Sequence, residues 1–161
     1  DLNSFVDGRQ LDDNVHVLLR FEGGAKGMLW ASQVAPGNEN GLRLQIYGDK
    51  AGLSWSQENP NYLMFSPLGE PSRLLGRGGP GLTGAAERVT RIPPGHPEGY
   101  LEGFATIYRE VADAIEAKRN GKDQPDEVIF PDLEDGLQGM RFVDAVLRSH
   151  KNGGVWTSLN S

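Results

Sequence analysis

Alternation between apolar and polar positions dominates the first half of the chain and predicts β-strands. Residues 15–35 contain two runs of β-branched, aromatic and large apolar side chains around Gly23-Gly24, which is typical of a β-hairpin. Residues 42–47, 53–55 and 62–65 have the pattern of three more short strands. Because no crossover helix fits between segments so closely spaced, we expect at least five strands that pair mainly antiparallel. In residues 42–47 the face expected to be buried consists of Leu42, Leu44 and Ile46.

Helical spacing replaces this alternation in the second half of the chain. One apolar stripe predicts a helix with limits near Glu98 and Asn120. A second helix is predicted from Asp132, whose side chain can cap the amide of Asp135, to a point just before Gly153-Gly154. Both stripes are expected to pack inward. Their members are Leu101, Phe104, Tyr108, Val111 and Ile115 in the first helix and Leu133, Leu137, Met140, Val143 and Leu147 in the second.

The order of these elements favours an α+β domain that spans residues 1–161. We expect an open, mostly antiparallel β-sheet with two main helices packed on one face. Residues 69–95, rich in Gly and Pro, are interpreted as an excursion or loop, with a short strand at 89–92 as an alternative. Val155-Trp156 is a candidate for a final strand. The other sheet face is expected to form a homodimer interface through residues 15–35 and 42–47, since a sheet covered on one side usually meets a second surface.

Composition excludes several classes of function. The net charge is -6 and no run of Lys or Arg forms a positive stripe, so nucleic acid is not an expected partner. The absence of cysteine excludes disulfides and thiol chemistry and fits a cytoplasmic protein. No apolar stretch reaches the roughly 20 residues of a membrane span. The chain starts at Asp1 and continues at once through Leu2, Phe5 and Val6, which resembles the end of an earlier element, so we expect a fragment of a longer protein.

The glycine-rich segment 76–84, GRGGPGLTG, contains G-x-G-x-x-G twice. A phosphate cradle needs a buried strand before the motif and a helix start directly after it. We expect neither here and interpret the segment as a flexible loop.

The three histidines do not have metal-ligand spacing. His16 is expected on the sheet and His150 at a helix C-terminus. His96 lies in GHPEGY, where it and Tyr100 flank a helix start and could meet a bound hydroxyl or anion, although a capping role explains the pattern as well.

Three carboxylates at 132, 134 and 135 could form an acid and base pair, but their position in a first helical turn favours capping. Gly136 and Gly139 each cost roughly 1 kcal/mol in a helix interior, so we expect the helix to approach the sheet closely there.

Three blocks of the sequence, at residues 42–63, 95–115 and 132–156, resemble in order and spacing the C-terminal domain of the glucose-fructose oxidoreductase, inositol dehydrogenase and MocA family. The resemblance implies an N-terminal Rossmann domain that binds NAD or NADP, carries a Glu-Lys-Pro catalytic lysine and lies outside this chain. It also implies an Asp-x-x-x-His pair upstream of Asp1. Residues 1–161 are therefore expected to contain no catalytic, cofactor-binding or metal-binding residue, and to be inactive alone.

In this family the C-terminal domain contributes part of the substrate pocket, and often the dimer interface. The loop at residues 37–40 and the loop around residue 96 are the candidate pocket walls, because sugar hydroxyls need neutral donors and acceptors. The candidate substrate-binding residues are Gln33, Asn38, Asn40, His96 and Tyr100. Turn geometry is an alternative explanation for both asparagines.

The leading hypothesis is the C-terminal domain of an NAD(P)-dependent oxidoreductase acting on a sugar, polyol or related hydroxyl compound. One alternative is a non-catalytic sugar-binding or assembly domain that shares the sheet. A third is a small stand-alone enzyme that works through His96 and Glu98.

Overall fold

The structure is a computed structural model that describes residues 1–159. The strands are β1 Leu2–Asn3, β2 Asn14–Arg20, β3 Lys26–Ser32, β4 Arg43–Tyr47, β5 Ala51–Ser56, β6 Tyr62–Pro67 and β7 Arg73–Gly76. The helices are α1 Gly84–Arg88, α2 Tyr100–Arg119 and α3 Leu133–Lys151, with one 3-10 turn at Glu22–Gly24. Two compact units divide the chain. Unit 1 contains Asp1–Asn38 and the described residues from Pro131 onward, and unit 2 contains Glu39–Phe130.

The predicted hairpin forms the centre of the sheet in unit 1. Strands β1, β2 and β3 pair antiparallel in that order, and the register places His16 opposite Trp30 and Leu18 opposite Met28. Gly23 and Gly24 make the turn with φ angles of 84° and 91°, which residues other than glycine rarely adopt. The hairpin prediction is confirmed.

Helix α3 in unit 1 begins where the sequence predicts. Asp132 Oδ1 accepts the N–H groups of Glu134 (2.8 Å) and Asp135 (3.0 Å), and Asp135 Oδ2 accepts the Asp132 N–H (2.9 Å). This reciprocal capping box accounts for the carboxylates at the helix start, so the capping interpretation is confirmed. The strand proposed at Val155-Trp156 is wrong. The Trp156 ring instead lies 3.7 Å from the guanidinium of Arg20, a cation–π contact.

Strands β4 to β7 form the antiparallel sheet of unit 2, in sequence order. The strands predicted at 42–47, 53–55 and 62–65 are confirmed. Strand β7 and helix α1 lie inside the segment that was expected to be a loop. The strand considered at 89–92 is wrong, because the N–H groups of Arg91 and Ile92 bond to the carboxylate of Glu98 rather than to another strand.

Helix α2 begins two residues later than predicted. Gly99 is its N-cap, and the carboxylate of Glu102 accepts the Gly99 N–H (2.7 Å). This hydrogen bond, followed by the helix N–H of Glu102 itself and then the charges of Arg91 and Arg77, lowers the pKa of Glu102. The acidic residue of the first turn of α2 is therefore Glu102 and not Glu98, which precedes the helix. The C-terminal limit at Asn120 is confirmed as the C-cap.

The α+β class and the open antiparallel sheet arrangement are confirmed, with the seven described strands divided into sheets of three and four. The expected burial of the apolar stripes is wrong for this chain. The exposed stripe residues are Leu101, Phe104, Tyr108 and Ile115 in α2, Leu133, Leu137, Met140, Val143 and Leu147 in α3, and Leu42, Leu44 and Ile46 at β4. A Cβ at Gly136 or Gly139 would meet nothing within 4 Å, so the expected close approach of α3 to the sheet is also wrong.

This exposure leaves much apolar surface without a partner. Among the described residues, Val128 and Ala145 are the only buried apolar side chains, and they remain 5% and 4% exposed. The chain exposes 12827 Å², whereas two separate compact bodies that divide it as these units do would expose roughly 9,500 Å². The exposed apolar stripes contribute to this surplus. Among residues 1–159, no helix combines the length and the apolar character needed to cross a membrane.

Replacing Asp132 with Ala should lower the free energy of unfolding by about 1 kcal/mol, because two amides at the start of α3 lose their acceptor. Asp132→Asn keeps an acceptor oxygen and should stay within a few tenths of a kcal/mol of the parent. Urea denaturation measures both changes. Equal stability of Asp132→Ala and the parent would contradict the capping role.

Candidate functional site

The most highly organised polar region of unit 2 surrounds the His96 loop, which we define as residues 91–99. The loop connects the end of the α1 segment to the start of α2. Three polar side chains that are distant in sequence hold it in place: Asn61 before β6, Arg77 after β7, and Glu98 within the loop.

Asn61 joins the loop to the end of the sheet. Its Oδ1 accepts the N–H of Glu98 (3.0 Å) and the Nε–H of Arg77 (2.9 Å), while its Nδ2 donates to the Glu98 carbonyl (2.9 Å). The amide therefore pairs with both backbone groups of Glu98 in the manner of a neighbouring strand. This arrangement fixes the chain directly before the first turn of α2.

The backbone of Arg77 is fixed by a hydrogen bond, and its guanidinium contacts the His96 loop. Its backbone N–H donates to the Asn61 carbonyl (2.8 Å). The guanidinium donates to the carbonyls of Ile92 (2.9 Å), Pro93 (3.4 Å) and His96. One side chain thus satisfies three carbonyls of the same loop.

Glu98 is the acidic centre of the network. Its side chain is only 5% exposed, and its Oε1 accepts the N–H groups of Arg91 and Ile92 at 2.7 Å each. The same oxygen lies 3.5 Å from Arg77 Nη1. Two amides and a cation compensate for the loss of water around this carboxylate, which a buried charge requires.

The network presents His96 and Tyr100 to solvent. The His96 imidazole is exposed and makes no hydrogen bond with any residue that the structure describes. Tyr100 is 66% exposed, and its ring packs against Phe104 with centroids 4.8 Å apart. Both side chains keep a hydrogen-bonding group free for a ligand hydroxyl. The structure thus places these two sequence-predicted residues on the same held segment of unit 2.

The third candidate in unit 2, Asn40, is also exposed. Its backbone N–H and that of Gly41 bond to the Glu58 carboxylate at 3.2 and 3.1 Å. The Asn40 side chain makes no hydrogen bond within residues 1–159, so it too remains available to a ligand.

The two candidates in unit 1 differ from each other. Asn38 Nδ2 donates to the Ala35 carbonyl (3.3 Å), as does its backbone N–H (3.2 Å), in a turn where Gly37 has a φ of 91°. Turn geometry therefore explains Asn38. Gln33 is exposed after β3, and its backbone N–H bonds to the Asp13 carbonyl (2.7 Å).

A cavity of about 360 Å³ lies beside the network, within unit 2. Its walls are largely apolar and include Trp55, Leu63, Leu75 and Val89. Several polar groups of its lining are already engaged: Trp55 Nε1 donates to the Pro60 carbonyl (3.1 Å), and Arg77 and Glu98 bond within the network. A polyol needs several free donors and acceptors, so this cavity does not suit one.

The glycine-rich segment 76–84 differs from expectation. Strand β7 precedes it and α1 follows it at Gly84, although neither element was predicted. The segment still does not fit a dinucleotide, because β7 is antiparallel and α1 has only five residues. In addition, Thr83 Oγ1 already accepts the Ala86 N–H at the start of α1. Among residues 1–159, no group of three or more acidic or histidine side chains could hold a metal ion.

A second buried carboxylate of unit 2, Glu110 of α2, bonds to helix α1 and to the segment that precedes α3. Arg88 of α1 donates to Glu110 Oε1, and the Ile129 N–H donates to Oε2 (3.2 Å). The hydrogen bond from Arg88, and then that from Ile129, lower the pKa of Glu110 against the opposing effect of desolvation. Glu110 thus ties α1, α2 and the segment before α3 together.

Sequence reasoning did not identify the structural role of the three residues that hold the loop, although it named Glu98 as a possible catalytic partner of His96. Asn61 belonged to a cluster of strand breakers, Arg77 to the glycine-rich segment, and Glu98 to the expected first turn of a helix. Their partners lie 6 to 37 residues away in the chain. No periodic signal reports such contacts.

Comparison with known proteins bears on the whole chain. A family model described as the oxidoreductase family, C-terminal alpha/beta domain, of the Gfo/Idh/MocA type, matches residues 3–159. The uncharacterized oxidoreductase YfiI of Bacillus subtilis (strain 168) is 38% identical over 158 residues, which are 97% of this chain and 40% of that protein.

Two solved structures extend the comparison. A crystal structure of an oxidoreductase from Sinorhizobium meliloti has 60% identity and a TM-score of 0.93, and the match covers 98% of this chain and 44% of that one. An inositol dehydrogenase homolog from Azotobacter vinelandii, complexed with NADH and myo-inositol, has 35% identity and a TM-score of 0.90 over 98% of this chain and 42% of its own. The chain therefore spans about two fifths of the length of these relatives.

Replacing Glu110 with Gln should destabilise the protein at neutral pH, because the charged acceptor of Arg88 is lost. The folded pKa of Glu110 lies below the ordinary 4.5, so its stabilisation is complete above pH 4.5 and disappears as the pH falls through the folded pKa. Urea unfolding between pH 3 and 7 should show parent and variant converge in acid. Glu116→Gln, at an exposed position of the same helix, is the control. A difference between parent and Glu110→Gln that did not depend on pH would refute the assignment.

Proposed function

Since this chain belongs to the Gfo/Idh/MocA oxidoreductase family as its C-terminal α/β domain, we propose that it forms the substrate-binding and dimerisation part of an NAD- or NADP-dependent oxidoreductase. The substrate is a sugar, a polyol or a related hydroxyl compound. The match of one domain model over residues 3–159 carries the proposal. The myo-inositol and NADH complex of the 35% identical Azotobacter relative supports the choice of substrate and cofactor class.

The division of labour follows from what these residues offer. The nicotinamide ring, when bound, accepts or donates the hydride. Residues 1–159 contain no segment that fits a dinucleotide, so we assign the cofactor and the catalytic base to the portion of the protein outside this chain. His96, Tyr100 and Asn40 bring exposed hydrogen-bonding groups that can bind and orient hydroxyl groups. Gln33 remains a candidate in unit 1, and Asn38 is the weakest candidate because its amide stabilises a turn.

This assignment predicts that the isolated 161-residue chain binds neither NAD+ nor NADP+ in titration calorimetry and does not oxidise myo-inositol. The full-length protein should bind NAD+ or NADP+ and use that cofactor to oxidise myo-inositol. Circular dichroism of the isolated chain must first show the helix and strand content described above, so that a negative titration reflects a folded protein. Tight binding of either dinucleotide by the folded chain would contradict the proposal.

Dimerisation is the second part of the proposal. Leu18, Met28 and Trp30 lie on one face of the hairpin and are 69%, 84% and 59% exposed. Exposed apolar side chains grouped in this way, beside polar neighbours such as Arg20 and Lys26, are typical of an isologous interface between two copies of a chain. The surplus of exposed area supports the same conclusion.

Replacing Leu18 with Glu should therefore convert the full-length dimer largely to monomer in sedimentation velocity at micromolar concentration. A carboxylate cannot be buried in an apolar interface without a partner. Leu11→Glu is the matched control, because Leu11 is 79% exposed and lies outside the strands. If Leu18→Glu sedimented as the parent does, this face would not be the interface.

A further inference from the structure

The His96 loop has little internal structure of its own. Its one backbone hydrogen bond between loop residues joins the His96 N–H to the Pro93 carbonyl at 3.3 Å, and Gly95 has a φ of 86°. Three prolines, at 93, 94 and 97, have no N–H to donate. The course of the loop therefore depends on side chains, namely that of Glu98 within the loop and those of Arg77 and Asn61 from elsewhere in unit 2.

Arg77 supplies most of this support. Its guanidinium reaches carbonyls on both sides of the loop, at Ile92 and Pro93 and at His96. Its side chain is only 16% exposed. The bond from its Nε to Asn61 and the nearby Glu98 carboxylate fix the plane of the guanidinium. A planar fork with five donors can make all these bonds at once, whereas a lysine ammonium cannot.

We propose that Arg77 is a positioning residue that sets the orientation of the His96 imidazole through the His96 carbonyl, with Asn61 and Glu98 as its supports. Arg77 does not need to contact the substrate to do this. The role of the loop in binding rests on the proposed function, in which His96 meets a hydroxyl group of the substrate.

The orientation of His96 can be measured without substrate. In full-length protein labelled with 13C at histidine Cε1, the His96 resonance is identified by its loss in His96→Ala. Arg77→Lys should shift or broaden this resonance, because the loop loses its fixed carbonyl contacts. Arg73→Lys is the matched control, since Arg73 lies on β7 with a 57% exposed side chain whose only bonding partner among residues 1–159 is Glu70. The control should leave the resonance unchanged.

A second variant covers the case in which Arg77→Lys does not fold. Asn61→Ala keeps the guanidinium but removes the support at the Arg77 Nε together with both bonds to the Glu98 backbone, and it should also shift or broaden the His96 resonance. An unchanged His96 resonance in the folded variants would overturn the positioning role.

Kinetics with myo-inositol as probe test the proposed function separately. Arg77→Lys should lower kcat/KM about 10- to 100-fold, mainly through KM, because a small displacement of a binding group is costly. In a His96→Ala background, Arg77→Lys should lower it by less than about 2-fold more, since the two residues act as one unit. Full additivity would overturn the coupling between them. If His96→Ala left kcat/KM unchanged, the substrate role of His96 would fail, while the resonance experiment would still decide the positioning role of Arg77.

Discussion

The burial of the Glu98 carboxylate is the constraint on which the organisation of unit 2 depends. A charge removed from water needs compensation from all sides, and Glu98 obtains it from two amides and from Arg77. Each partner fixes a different piece of chain. The amides turn residues 91 and 92 inward, Arg77 brings the end of β7 beneath the loop, and Asn61 bonds both backbone groups of Glu98 before α2 begins. The geometry around His96 follows from this one requirement.

A second constraint acts at the level of the whole chain. The apolar stripes of α2 and α3 have the regular spacing of packed helices, yet most of their members are exposed. Exposure of such a stripe to water does not stabilise the helix. The glycines at 136 and 139 also weaken α3, and no neighbour within 4 Å compensates for them. Contacts among the described residues therefore leave these stripes uncovered. The match covers 40 to 44% of the length of the relatives.

Local signals explain what could be predicted from the sequence. The hairpin around Gly23-Gly24 and the capped start of α3 at Asp132 are set by residues within a few positions of each other, so pattern and spacing were sufficient. Strand β7 and helix α1 were missed because glycine and proline around them mask a short strand and a single helical turn. The same limits apply to the site. His96 and Tyr100 stood out through residue type, whereas Arg77 and Asn61 gain their roles only from contacts made after the chain has folded.

The exposed side chains of His96 and Tyr100 depend on the buried residues that hold the loop for a physical reason. Neutral side chains bind hydroxyl groups weakly, because each new hydrogen bond replaces one to water. Their contribution grows when the side chains are held in place beforehand, so that binding does not have to order them. A loop with three prolines and only one backbone–backbone hydrogen bond between its own residues is poorly ordered without side-chain support. The Glu98 carboxylate and the Arg77 guanidinium fix its course, so the exposed side chains of His96 and Tyr100 stand on a defined segment.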